Sequence, residues 1–261
     1  MSVSIEDRAP RAETLLSWKS IVLVMAIAVA TVVIGTLAGY AATSAFDIWS
    51  GIGAPRAYAA GEMQSLATAR VAVSLFAFQL VTIVTLFAVN ALWARGGGGF
   101  LSFAVPRGGL KTLILASLGL MLLAFLYGSL VFALDREAFR NDMSPFAELM
   151  KAQTWWLVLI AAGIGAPIAE ECLFRGLLFG TLKRTSLGIG GAAAVSAILW
   201  AVLHANYSIY GVTAITLIGI YLALVRERTG SLLTPIVCHG TYNSLIVLVL
   251  AFAPNSSLVT G

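Results

Sequence analysis

The chain has 261 residues, 59% of them hydrophobic and 11% charged, and its 16 Lys and Arg against 12 Asp and Glu give a net charge of +4. Water-soluble domains carry roughly 25% charged residues, so this sequence cannot cover a solvent-facing surface, and the same figures exclude a disordered chain and, with two cysteines, a disulfide-rich module. The basic residues are scattered through short segments between apolar runs, with no stripe or tail, which argues for membrane topology and against a nucleic-acid partner.

Residues 1–20 mix Glu6, Asp7, Arg8, Arg11, Glu13 and Lys19. The apolar run after them exceeds the roughly 7 to 15 residues of a signal-peptide core, so an uncleaved first helix is expected. Stretches long enough for a hydrocarbon core follow at Ile21 to Phe46, Val71 to Trp93, Thr112 to Leu134, Trp155 to Leu182, Leu187 to Leu203, Ile209 to Val225 and Leu232 to Ala253. Each must be helical, because an isolated strand at that depth leaves backbone groups unpaired and no alternating pattern suggests a barrel. The predicted fold is an all-α, multi-pass transmembrane bundle of about seven helices, six to eight. Its fifth and sixth spans are short enough to be tilted, broken or re-entrant. Residues 1–154 supply an N-terminal segment and three featureless spans, and residues 155–261 the catalytic core of one integral membrane unit.

The connections carry less chemistry. Gly96 to Gly99 with Pro106, Gly108 and Gly109 reads as a flexible linker, and Asp135 to Gln153 as a short helix lying on the membrane surface. Gln79, Asn90 and the tryptophans read as packing and interface residues. The terminal SLVTG has no cysteine for prenylation. With the N-terminus cytoplasmic, inside segments hold ten Lys and Arg and outside segments five, so the expected orientation is N-terminus in.

The informative feature is where ionisable groups occur. The first three spans contain no Asp, Glu, Lys, Arg or His; the fourth holds Glu170, Glu171 and Arg175, and the chain's two histidines are His204, closing the fifth, and His239, inside the seventh. A charge at membrane depth costs on the order of 2.5 to 3.5 kcal/mol even on the lenient insertion scale, so such groups need partners or a purpose. Glu171 and Arg175, four apart, share a helix face with the acid first, the better order for an ion pair. Glu170 lies about 100° away and is left to face a cavity. His239 and Asn243, and Trp200 and His204, are also spaced by four. Carboxylate, imidazoles and carboxamide meeting in an apolar cavity could activate water and stabilise an oxyanion. The same groups could serve as a zinc set of Glu170, His204 and His239. Cys172 and Cys238, beside Glu171 and His239, read as small apolar residues in preference to nucleophiles.

EECLFRG at 170–176, WAVLH at 200–204 and RTGSLLTPIVCHGTYN at 228–243 resemble, in order, the three motifs of the CPBP family, the CAAX-protease and bacteriocin-processing (Abi) intramembrane proteases that include the type II CAAX prenyl endopeptidases. The resemblance implies that Glu170 activates water with His204, that His239 and Asn243 bind the oxyanion, and that Glu171 and Arg175 support the site without a metal. Trp200 stands where Phe is usual. The implied activity is an endopeptidase acting on membrane-anchored or prenylated peptides among membrane lipid. The Ala- and Gly-rich composition points to a bacterial cytoplasmic membrane. A proton-coupled transporter and a non-enzymatic immunity protein are the competing readings of the buried polar groups.

Overall fold

The computed structural model describes residues 16–52, 58–95 and 99–252. The charged residues before Leu16, Arg56, Gly96 to Gly98 and the chain from Ala253 onward, with the topology and linker expectations resting on them, lie outside these segments.

The described residues form helices and no strands: α1 Trp18–Ser50, α2 Ala60–Ala94, α3 Gly109–Leu134, α4 Arg136–Met150, α5 Trp155–Leu182, α6 Gly188–Val202, α7 Ile209–Thr229 and α8 Leu233–Phe252. Six of these (α1, α2, α3, α5, α7 and α8) are long and apolar enough to cross a membrane, and α6 is a shorter apolar helix of 15 residues. They fall at the seven predicted spans. The chain is an integral, multi-pass membrane protein.

The spans are inverted relative to a soluble core. Large apolar side chains such as Leu80, Val84, Leu115, Leu122 and Val249 face outward, while α5 sits at the centre with half of its apolar window buried, against 28% or less in the other crossing helices. Lipid tails are as apolar as leucine, so helix association relies on close packing. Gly35 and Gly39 of α1 meet Phe78 and Ser74 of α2, leaving no room for a β-carbon. α1 and α2 have 33 and 35 residues, roughly 50 Å each at 1.5 Å per residue, and extend past a core of about 30 Å. Beyond the predicted spans they are joined by Arg70 Nε and Asp47 Oδ1 at 2.7 Å.

α6 and α7 are equally close at Gly219, where a β-carbon would lie 2.7 Å from Ala197 Cβ. Gly219→Val is therefore expected to part the two helices, costing about 1 to 3 kcal/mol. Thermal unfolding in detergent measures the loss; an unchanged midpoint would contradict this packing.

The two ends of the bundle differ. At one end, α3 runs into α4, an amphipathic helix at the predicted surface position, capped by Asp135 Oδ1 accepting from Ala138 N at 2.9 Å. α4 meets the turn between α6 and α7: Asp142 accepts from Ser208 N and Ser208 Oγ, both at 2.7 Å. At the other end, Arg184 O accepts from Leu16 N, Thr229 O from Arg107 N, and Lys183 pairs with Glu227. Thus α6, though only 15 residues long, runs between the ends and is not re-entrant.

The connection from Phe100 to Pro106 is built into the bundle. Asn90 Oδ1 accepts from Phe100 N and Leu101 N, and Ser102 O accepts from Leu232 N. This corrects two expectations: Asn90 fastens a loop, and the linker's second half is a packed strap. It also sinks the start of α8, where Ser231, Leu232 and Thr234 are fully buried.

Candidate active site

α5 departs from regular α geometry on both sides of the paired glutamates. Its hydrogen bonds widen to the i→i+5 pattern at Ala161–Gly165 and again at Glu171–Phe179. Pro167 has no N–H to return to the preceding turn, which accounts for the first interruption. Side chains of neighbouring helices bond to carbonyls of these segments: Ala161 O, which also accepts from Ala166 N, accepts from Gln79 Nε2 and Ala162 O from Asn243 Nδ2, both at 2.9 Å, and Phe174 O accepts from Ser196 Oγ at 2.8 Å. Such π segments often mark functional sites. Here every residue from Glu171 to Phe179 is buried, so the helix faces protein all round.

Glu171 and Arg175 form the predicted ion pair, Nη1 to Oε1 at 2.9 Å, both fully buried. Arg175 Nη2 donates to Gly219 O at 3.1 Å, and its guanidinium lies 4.5 Å from the Trp200 ring centroid. The pair is also joined by a third group: His239 Nδ1 lies 2.9 Å from Glu171 Oε1. A carboxylate only accepts, so Nδ1 carries the hydrogen and Nε2 is turned elsewhere. Nε2 is 4.0 Å from Glu170 Oε2.

Glu170 takes the other direction, as its helical position predicts. It lines a small cavity of about 160 Å³ with Phe78 and Thr82 of α2, Phe174 of α5, and Trp200 and His204. The Trp200 indole N–H donates to Glu170 Oε2 at 2.7 Å. His204 Nδ1 lies 3.0 Å from Trp200 O, and since a carbonyl cannot donate, Nδ1–H points there and Nε2 is the ring nitrogen left for another partner. Beside it, burial foremost, with the nearby carboxylates of Asp142 and Glu170, pushes the Tyr207 phenol above its ordinary range, so Tyr207 stays protonated.

Glu170, Trp200 and His204 thus share one cavity, with His239, Glu171 and Arg175 packed behind the carboxylate. Neither His239 nor Asn243 is among the described side chains lining it. Asn243 spends one amide hydrogen on α5. Among the described residues no three His, Cys, Asp or Glu lie together as a group that could hold a metal. Cys172 and Cys238 are buried free thiols, Cys238 Sγ lying 3.6 Å from Ser117 Oγ.

The buried first turn of α8 lets His239, six residues after Leu233, reach the glutamates, and His204 sits in the turn after α6. Two contributions from α2 escaped the sequence reading: Phe78 and Thr82 wall the cavity, and Gln79 braces α5. Apolar residues and a lone amide on an apolar span carry no signal for that.

The turn bearing His204 depends on α4. Asp142→Ala removes both bonds to Ser208 and is expected to destabilise that turn by about 2 kcal/mol. Hydrogen exchange of residues 203–208 should quicken, with the rest of α6 unchanged; protection equal to wild type would show that α4 does not hold the turn.

Residues 152–245 match the family described as "Type II CAAX prenyl endopeptidase Rce1-like". The matched segment contains all three motifs, and the resemblance to CPBP membrane proteases holds over it. The chain is also 28% identical over 120 residues to a Bacillus subtilis (strain 168) protein named "Putative membrane peptidase YdiL", covering 46% of each chain. The chain thus spans about half the length of this curated relative. No solved structure matches significantly.

Proposed function

We propose that this chain is an intramembrane endopeptidase that hydrolyses peptide bonds of membrane-associated or lipidated peptides with water activated by Glu170. The observation carrying this reading is that Glu170 and His204 line one cavity of about 160 Å³, enough for a few waters or one peptide group. A water there can donate one hydrogen to Glu170 and the other to His204 Nε2. As its oxygen attacks the carbonyl carbon, the O–H pair closes the new C–O bond, the proton passes to Glu170, and the carbonyl electrons move onto oxygen. His239 can donate to that oxyanion only with a hydrogen on Nε2, which lies 4.0 Å from Glu170 Oε2. Collapse of the intermediate expels the amine, which takes up the proton. The products are a carboxylic acid and an amine. No step requires a metal.

The family match over residues 152–245 supports a peptidase, and a family of prenyl endopeptidases favours prenylated substrates. The charge count supports a cytoplasmic N-terminus, and the composition a bacterial cytoplasmic membrane. Under that orientation the end bearing α4 and the His204 turn faces away from the cytoplasm.

The test is cleavage of a panel of membrane-anchored peptides, prenylated and unmodified, by purified protein in proteoliposomes, with and without a chelator. Cleavage that survives the chelator and is lost in Glu170→Ala is expected. Equal activity of Glu170→Ala would overturn the proposal. Proton-driven solute flux without cleavage would favour the transporter reading, and partner binding without cleavage the immunity reading.

A further inference from the structure

We infer that Trp200 is a positioning residue for the water-activating carboxylate: its indole N–H holds Oε2 of Glu170 so that Oε1 alone is presented to the cavity. The inference rests on the proposed role of Glu170 and assigns Trp200 a task beyond packing.

The indole is fixed from several sides. It is 4% exposed, with the Arg175 guanidinium over its ring and the His204 and His239 rings edge-on at centroid distances of 5.6 and 5.3 Å. Held this way, its N–H meets Glu170 Oε2 at 2.7 Å, a short bond of the charge-assisted kind. The backbone of the same residue directs the second partner, because Trp200 O receives the Nδ1–H of His204. One residue thus sets the direction of both groups that hold the water.

Indole chemistry makes the arrangement one-way. The N–H donates and never accepts, so it takes up one lone pair of Oε2 and is strongest while that oxygen carries no proton, which favours Oε1 as the oxygen that receives the proton from water. Without the indole, the carboxylate could rotate and offer either oxygen, and the fraction of time it is aligned with water and His204 would fall. Alignment of reacting groups is a large part of an enzyme's rate advantage.

The experiment uses the full chain in detergent micelles or nanodiscs. Position 200 is replaced by Phe and, separately, by benzothienylalanine, which keeps the indole's shape but has sulfur in place of N–H. Both replacements are expected to lower kcat roughly ten- to a hundredfold, with KM within about twofold of wild type. The isosteric replacement should keep the wild-type melting temperature, which separates lost direction from lost packing. A second readout needs no turnover. Among the six tryptophan indole 15N–1H resonances, the one missing in Trp200→Phe should move upfield in Glu170→Ala. An unmoved resonance, or wild-type kcat with benzothienylalanine, would overturn the inference. If the wild-type protein cleaves no peptide, the peptidase reading fails by itself, and the resonance still decides whether the indole holds the carboxylate.

Discussion

Arg175→Met is expected to cost about 3 to 5 kcal/mol and to leave little folded protein at physiological temperature. Its guanidinium is fully buried, contacts Glu171 Oε1 and Gly219 O, and stacks on Trp200, so removal strands a carboxylate in the centre of the bundle. The cost comes from the uncompensated charge and only secondarily from lost packing. Removing both charges should therefore restore much of the stability: Glu171→Gln with Arg175→Met is expected to melt closer to wild type than Arg175→Met alone. The double variant should nevertheless be inactive, because His239 Nδ1 loses the carboxylate that orients it. Thermal melting of the three proteins in one detergent checks this coupling; a double variant no more stable than Arg175→Met would contradict it.

Glu170→Ala should behave oppositely. The Glu170 side chain is 22% exposed and borders a cavity, and its hydrogen bond from Trp200 adds little to the fold. The melting temperature should shift by only a few degrees, while turnover falls roughly a hundred- to ten-thousandfold, the range lost with a general base. Two adjacent glutamates are thus predicted to separate cleanly, one carrying chemistry and its neighbour architecture. A Glu170→Ala protein that unfolds like the Arg175 variant would dissolve that division.

Much of this was legible in the sequence because the bilayer is a severe solvent. Five ionisable groups within otherwise uncharged spans had to be paired or functional, and helical spacing alone separated Glu171 with Arg175 from Glu170. The apolar runs marked the crossing helices for the same reason. What escaped is tertiary. Trp200 reads as a packing residue, since its donor role depends on α6 lying beside α5. Asn90 and Gln79 act on backbone groups far along the chain, and no spacing rule links Asn90 to Phe100 or Gln79 to Ala161. Nothing in the periodicity says that α8 begins inside the protein, held by Ser102, or that His239 thereby reaches Glu171. The π segments were equally invisible, since only Pro167 marks the middle of α5 as a place where the helix cannot stay regular.

The most direct measurement of the central claim is the fate of water oxygen. Wild-type protein in proteoliposomes is incubated with a membrane-anchored peptide in H2(18)O, and the new C-terminus is analysed by mass spectrometry. The account predicts one 18O atom in the new carboxylate of a single-turnover product, formed by wild type and not by Glu170→Ala. Product formed at the wild-type rate by Glu170→Ala, or a new terminus without 18O, would contradict it.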